Sequence, residues 1–149
     1  MTDIYGAPTV TSLVLRSLQR FPSRTAFAWD GGSLTYAATL SLVARMQAAM
    51  ARAGIAKGQT IALLSANRAE TWCATIAAAG LGLVTTSLHP MGSLDDHLDV
   101  IEDSGAEVLV VDPSTHGQRG GDLATRAANR LRVVFTLGKA DYEIGRAHV

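Results

Sequence analysis

Few side chains in this sequence have types and spacings that could do chemistry, and each has a plainer use. His89-Pro90 lies at the carboxyl end of a predicted strand, where ligands collect in open α/β sheets. His97, on the following helix, is a second candidate; a surface or partly packed histidine is the expected state of both. Gly80-Leu81-Gly82 resembles the start of a dinucleotide fingerprint, but Thr85 stands in the third glycine's place. These glycines also fall between a helix and a strand, the reverse of the order that aims helix-start amides at a phosphate. Cys73 is flanked by Trp72, Ala74 and Ile76 and has no evident activating base, so a buried small hydrophobe is expected there. Asp95, Asp99, Glu102 and Asp103 share one helical face with Asp96 beside it; a solvated surface is expected, and no metal site. His116-Gly117-Gln118-Arg119-Gly120-Gly121 could wrap an anion, but its composition predicts a mobile loop. No residue here is expected to be catalytic.

The elements that must position these residues follow from periodicity and punctuation. A helix is predicted over Thr9–Arg20, its apolar face formed by Val10, Leu13, Val14 and Leu18, with Phe21-Pro22 as the stop. Thr25–Trp29 and Leu34–Tyr36 flank Asp30-Gly31-Gly32 and predict a hairpin. Thr35 can cap a helix running to about Ala53, with Tyr36, Leu40, Val43 and Met50 on one stripe and Gly54 as a left-handed cap. The nearly unbroken apolar run Thr60–Leu64 suits a strand buried on both faces. Asn67-Arg68-Ala69-Glu70 has the form of a capping box and opens a helix presenting Trp72, Ile76 and Ala79.

Leu83–Leu88 is the next predicted strand, stopped at His89-Pro90. Ser93-Leu94-Asp95-Asp96 caps a helix whose core stripe is Leu94, Leu98 and Ile101. Val108–Val111 is another buried strand, ended by Asp112-Pro113; Ser114–Asp122 reads as a polar, glycine-rich loop, Leu123–Asn129 as a short helix and Arg132–Leu137 as a last strand. Alternating strands and helices predict an α/β fold, with a doubly wound, mostly parallel sheet and flanking helices.

Composition narrows the classes of function. With 149 residues, 48% hydrophobic and 17% charged, the chain can bury a real core, and disorder is a poor reading. Thirteen basic and 13 acidic side chains leave no net charge, which argues against nucleic acid as a partner. A single cysteine excludes an intrachain disulfide and a cysteine zinc cluster. The opening residues lack a signal-peptide pattern, and Cys73–Val84 is too short to span a membrane, so a soluble cytoplasmic protein is expected.

Four segments in order resemble the start of the adenylate-forming (AMP-binding) superfamily: acyl-CoA synthetases, luciferases and peptide-synthetase adenylation domains. Leu34-Thr35-Tyr36 with Leu40 is similar to the family's leucine-threonine-tyrosine-x-glutamate-leucine opening, although Ala37-Ala38-Thr39 has drifted from it. Gly58 with Thr60–Asn67 and the Glu70-Thr71-Trp72 helix resembles the family's next strand and helix. Ala78–Val84 leading to His89-Pro90 resembles the alanine-glycine step toward an asparagine- or aspartate-proline. Glu102–Asp112 is the strongest match.

The resemblance implies an acyl-CoA synthetase that adenylates a carboxylic acid, a fatty acid by preference, using ATP and Mg²⁺, and then transfers the acyl group to coenzyme A. It equally allows an aryl-CoA ligase or an adenylation domain; outside it stands a small α/β binding module without catalysis. In that family the phosphate loop, the nucleotide-binding motifs and the late catalytic lysine lie downstream, and no Gly-x-x-x-x-Gly-Lys-Ser/Thr occurs here. Some CoA ligases place a basic side chain just after the proline to meet the nucleotide end of CoA. Met91 stands there and cannot bind phosphate, which leaves His89 and His97 as weak candidates for cofactor contact. Residues 1–142 are therefore expected to be an N-terminal α/β segment of an AMP-binding domain, inactive alone. Ile144–Val149 matches one translated frame of a common sequencing adapter, with Glu143 at the straddling codon, so residues 143–149 are expected to be non-native.

Overall fold

A computed structural model describes residues 9–138. In chain order these form α1 (Val10–Arg20), β1 (Thr25–Trp29), β2 (Gly32–Thr35), α2 (Tyr36–Arg52), β3 (Thr60–Leu64) and α3 (Ala69–Gly80). There follow β4 (Val84–Ser87), α4 (Leu94–Asp103), β5 (Val108–Val111), α5 (Arg119–Ala127) and β6 (Val133–Thr136). The expectation for residues 143–149 lies outside the described residues.

The four strands of the main sheet are ordered β4-β3-β5-β6, and every pairing is parallel. β3 and β5 sit at the centre because their side chains suit burial on both faces: Ile61, Ala62, Leu64, Val108 and Leu109 are fully buried. One face packs Ile61, Leu63, Val108 and Val110 against α2 and α3; the other packs Ala62, Leu64, Leu109 and Val111 against α4 and α5. The sheet is therefore doubly wound, as the alternation of elements predicts. β1 and β2 form a separate antiparallel hairpin, which touches α3 through an edge-to-face pair of Phe27 and Trp72 at 5.3 Å.

Local chemistry explains most element ends. Thr9 and Thr35 accept from the third amide on at α1 and α2. At the end of α2, Gly54 adopts φ +70° and Ile55 N–H reaches back to Met50 O, a left-handed closure.

Three expectations are corrected. The capping box at α3 does not form: Arg68, not Asn67, is the N-cap, no side chain caps the helix, and Glu70 turns to the Arg68 guanidinium. The reciprocal box is at α4 instead, between Ser93 and Asp96. The stretch read as a glycine-rich loop holds a single 3₁₀ turn and then α5, which starts at Arg119 rather than Leu123. Finally, Val10 and Leu13, placed on the packed face of α1, are 72% and 52% exposed, while Thr11 and Leu18 face inward.

Candidate functional site

From β3 the chain crosses by α3 to β4 on one side; from β5 it crosses by α5 to β6 on the other. The crevice between the carboxyl ends of β3 and β5 is thus the topological switch point, where ligands bind in sheets of this kind. Here it is bridged by charge. Arg68 Nη1 donates to Asp112 Oδ2 at 3.0 Å, and Nη2 and Nε donate to the two oxygens of Glu70 at 3.2 and 3.4 Å. Asp112 is only 3% exposed, and its second oxygen accepts from the Ser114 amide at 3.0 Å and hydroxyl at 2.7 Å. Thr71 Oγ1 donates to Ser65 Oγ at 2.7 Å behind the pair.

The electrostatics follow from this geometry. Burial pushes the Asp112 carboxyl up, but the bonds from Ser114 and Arg68 outweigh it and hold it below the usual carboxylate range. Burial opposes, and Arg68 overcomes, in the same way at Glu70, which also lies low. The Glu70 bond, with help from Asp112, raises the Arg68 guanidinium further. One cation shared by two carboxylates leaves the cluster with a surplus negative charge. It has no free guanidinium for a phosphate and, with Ser114 and Arg68 on Asp112, no open carboxylate edge for a metal. Among the described residues no group of three metal-ligating side chains is assembled.

His89 and His97 are brought together, but as parts of a turn. His97 is 2% exposed, packed more deeply than the surface or partly packed state expected; its position between Leu94 and Ile101 puts it on the core stripe of α4. A carbonyl can only accept, so His97 Nε2 carries the proton it donates to His89 O at 2.8 Å, and buried Nδ1 has no partner. The same His89 carbonyl accepts from Gly92 N–H at 2.9 Å, and the exposed His89 ring accepts the Met91 amide at its Nδ1. Gly92 is required here: a Cβ would lie 2.7 Å from His97 Nε2. Arg119 donates to Gly92 O and ties the turn to α5.

The other candidates are structural. Cys73 is fully buried, and burial, with the Glu70 charge, pushes its thiol up to about 11. Asp95, Asp96, Asp99, Glu102 and Asp103 are exposed; Asp95 pairs with Arg126 of α5 and Glu102 with Arg130, just beyond that helix. Gly80 and Gly82 end α3 and turn into β4, with Gly82 at φ +71°. The Arg68–Asp112 joint escaped the sequence reading because nothing local pairs residues 44 positions apart.

The model of the family described as AMP-binding enzyme matches residues 14–143. The chain belongs to the AMP-binding enzyme family.

Among curated members, the medium/long-chain-fatty-acid–CoA ligase FadD8 of Mycobacterium tuberculosis is 27% identical over 137 residues, 91% of this chain and 24% of the relative. The 2-succinylbenzoate–CoA ligase of Bacillus subtilis is 32% identical over 101 residues, 68% of this chain and 21% of the relative. The chain thus spans less than a quarter of the length of these two AMP-binding relatives. Among solved structures, the amide bond synthetase McbA of Marinactinospora thermotolerans superposes with a TM-score of 0.76 at 26% identity, over 92% of this chain and 27% of its own. A fatty acyl CoA synthetase of Mycobacterium tuberculosis gives 0.73 at 23% identity, over 85% and 26%, a likeness of fold.

Proposed function

We propose that this chain is the N-terminal scaffold of an ATP-dependent, AMP-forming acid–thiol ligase, one that joins a carboxylic acid to coenzyme A and prefers a fatty acid. The observation that carries the reading is the family match over residues 14–143 on a sheet of the matching fold. In such an enzyme ATP would supply the AMP that activates the carboxylate as a mixed anhydride, with pyrophosphate leaving, and Mg²⁺ would offset the phosphate charge. The described residues do not fit them: the switch crevice is closed by Arg68 and Asp112, and no phosphate loop follows any strand. The role assigned to this segment is to build the β3–β6 platform on which other residues of a longer enzyme work, and 149 residues alone are inactive in this reading.

A second reading, an aryl-CoA ligase or an adenylation domain, is favoured by specific relatives. The 2-succinylbenzoate ligase is more identical than the fatty-acid ligase over its shorter match, and a plipastatin synthase from Bacillus subtilis is 30% identical over 107 residues. No role with nucleic acid is proposed, because the charge is balanced. A cytoplasmic location is part of this proposal; among the described residues no helix is long and apolar enough to cross a membrane.

The test is carboxylate-dependent release of pyrophosphate from ATP by a full-length reading frame that carries this segment. Long-chain acids are expected to give the fastest release, and the 149-residue chain none. Faster release with aromatic acids would select the second reading; no release with short, long or aromatic acids would sink both.

A further inference from the structure

Beside the charged joint, and outside the turn that holds the two histidines, lies a cleft of about 680 Å³ between the β1–β2 hairpin and the first turns of α3. Its volume falls in the range of small-molecule sites. Phe27 and Trp72 meet edge to face at 5.3 Å and form part of its wall, with Trp29 beside them. Trp29 is 53% exposed, yet its indole is laid on the backbone of Gly32: a Cβ there would sit 2.8 Å from the ring. The aromatic wall is therefore held in place before any ligand arrives.

The polar wall decides what such a ligand must be. Arg68 and Glu70 line the cleft but neutralise each other, and Arg68 spends its remaining nitrogen on Asp112. Thr75 Oγ1 donates to Thr71 O, and Thr71 Oγ1 to Ser65 Oγ. What remains is neutral: exposed Asn67 and the aromatic rings. An anion would meet no free cation, and the surplus carboxylate of the joint repels it. A strongly hydrated ammonium would lose its water for carboxylates already bonded to Arg68, whereas a delocalised cation on a ring would be drawn by the joint's surplus charge and by the aromatic faces.

We propose that this cleft binds a flat aromatic group that carries no negative charge, part of a small molecule held between the hairpin and α3. The inference is independent of the ligase reading, because the walls come from the hairpin and α3 alone.

Both tryptophans of the chain line this one cleft, so indole emission reports on it directly. The intact 149-residue chain is titrated with benzamide, benzoate and benzamidine, which share one ring and differ in charge. Excitation is at the red edge of indole absorption, where none of the three absorbs. Benzamide is expected to change the emission saturably with a dissociation constant of about 1 mM, the scale for so small a ligand. Benzoate is expected to bind at least about tenfold more weakly than benzamide, and benzamidine no more weakly than benzamide. Trp29→Ala, at an exposed position, and Thr75→Phe, which fills the cleft, should each abolish the benzamide response while far-ultraviolet circular dichroism is retained. Three outcomes would overturn the proposal: no saturable response to benzamide, benzoate binding as tightly as benzamide or more so, or binding that survives both substitutions. Emission that depends on protein concentration without ligand, together with a dimer in sedimentation, would also overturn it, since a second copy would then occupy the cleft.

Discussion

Arg68 and Asp112 stand 44 residues apart in the chain and 3.0 Å apart in space, across the crevice where the strand order reverses. Their contact joins the carboxyl ends of the two central strands. Removing Arg68 strands a nearly buried carboxylate with only Ser114 to satisfy it. Arg68→Ala is expected to cost about 2 to 3 kcal/mol in urea unfolding. Lysine in its place should recover less than half, because it cannot fork to two carboxylates. A double-mutant cycle with Asp112→Ala should return a coupling of about 1 to 3 kcal/mol. A loss within about 0.5 kcal/mol for Arg68→Ala, ordinary for a surface change, would show the joint to be idle.

The same joint sets a pH dependence. Asp112 and Glu70 both hold their protons less tightly in the folded protein than in the unfolded chain. Their contribution is therefore fully present above the unfolded carboxyl range, near pH 4, and is lost as pH falls through the lower folded values. Unfolding free energy measured from about pH 7 down to pH 3 should fall, and fall less steeply in Arg68→Ala. Equal slopes in the two proteins would contradict the assignment.

How far the sequence discloses this arrangement depends on whether the cause is local. β3 and β5 are legible because burial on both faces demands the unbroken runs Ile61–Leu64 and Val108–Val111. His97 was legible too: it sits three residues after Leu94 and four before Ile101, on the helical stripe both share, but its polarity hid it. Glu70 misleads, since three residues after Asn67 it mimics a capping box; its partner is the guanidinium two residues back. Asp112 as the other partner of Arg68 is decided by strand order, and no window of sequence contains both. The aromatic cleft is likewise tertiary, because Phe27 and Trp72 meet only once the hairpin folds onto α3.

Cys73 offers a check on the packing of α3. Its thiol is buried and pushed up to about 11, so little thiolate exists at neutral pH and no path leads a reagent to it. Native protein should react with an aromatic disulfide reagent at least about a hundredfold more slowly than protein in urea. Rates within a few-fold of each other would mean that α3 is not seated on the sheet.

Gly120 tests the start of α5, the element that composition concealed. Inside an ordinary helix, glycine to alanine stabilises by about 1 kcal/mol. At Gly120 the sign should reverse, because a Cβ would lie 2.0 Å from the Asp112 carbonyl oxygen and 2.9 Å from its carbon, backbone atoms of a central strand's end. Gly120→Ala is expected to destabilise by about 2 to 3 kcal/mol and to disturb the Arg68–Asp112 joint next to it. Gly117, three residues earlier, has φ +78° with open space around the missing Cβ, so Gly117→Ala should cost only its backbone strain, about 1 kcal/mol. A larger loss at Gly117 than at Gly120 would mean that α5 does not begin against Asp112, and that the stretch from Ser114 to Asp122 is the open loop its composition suggests.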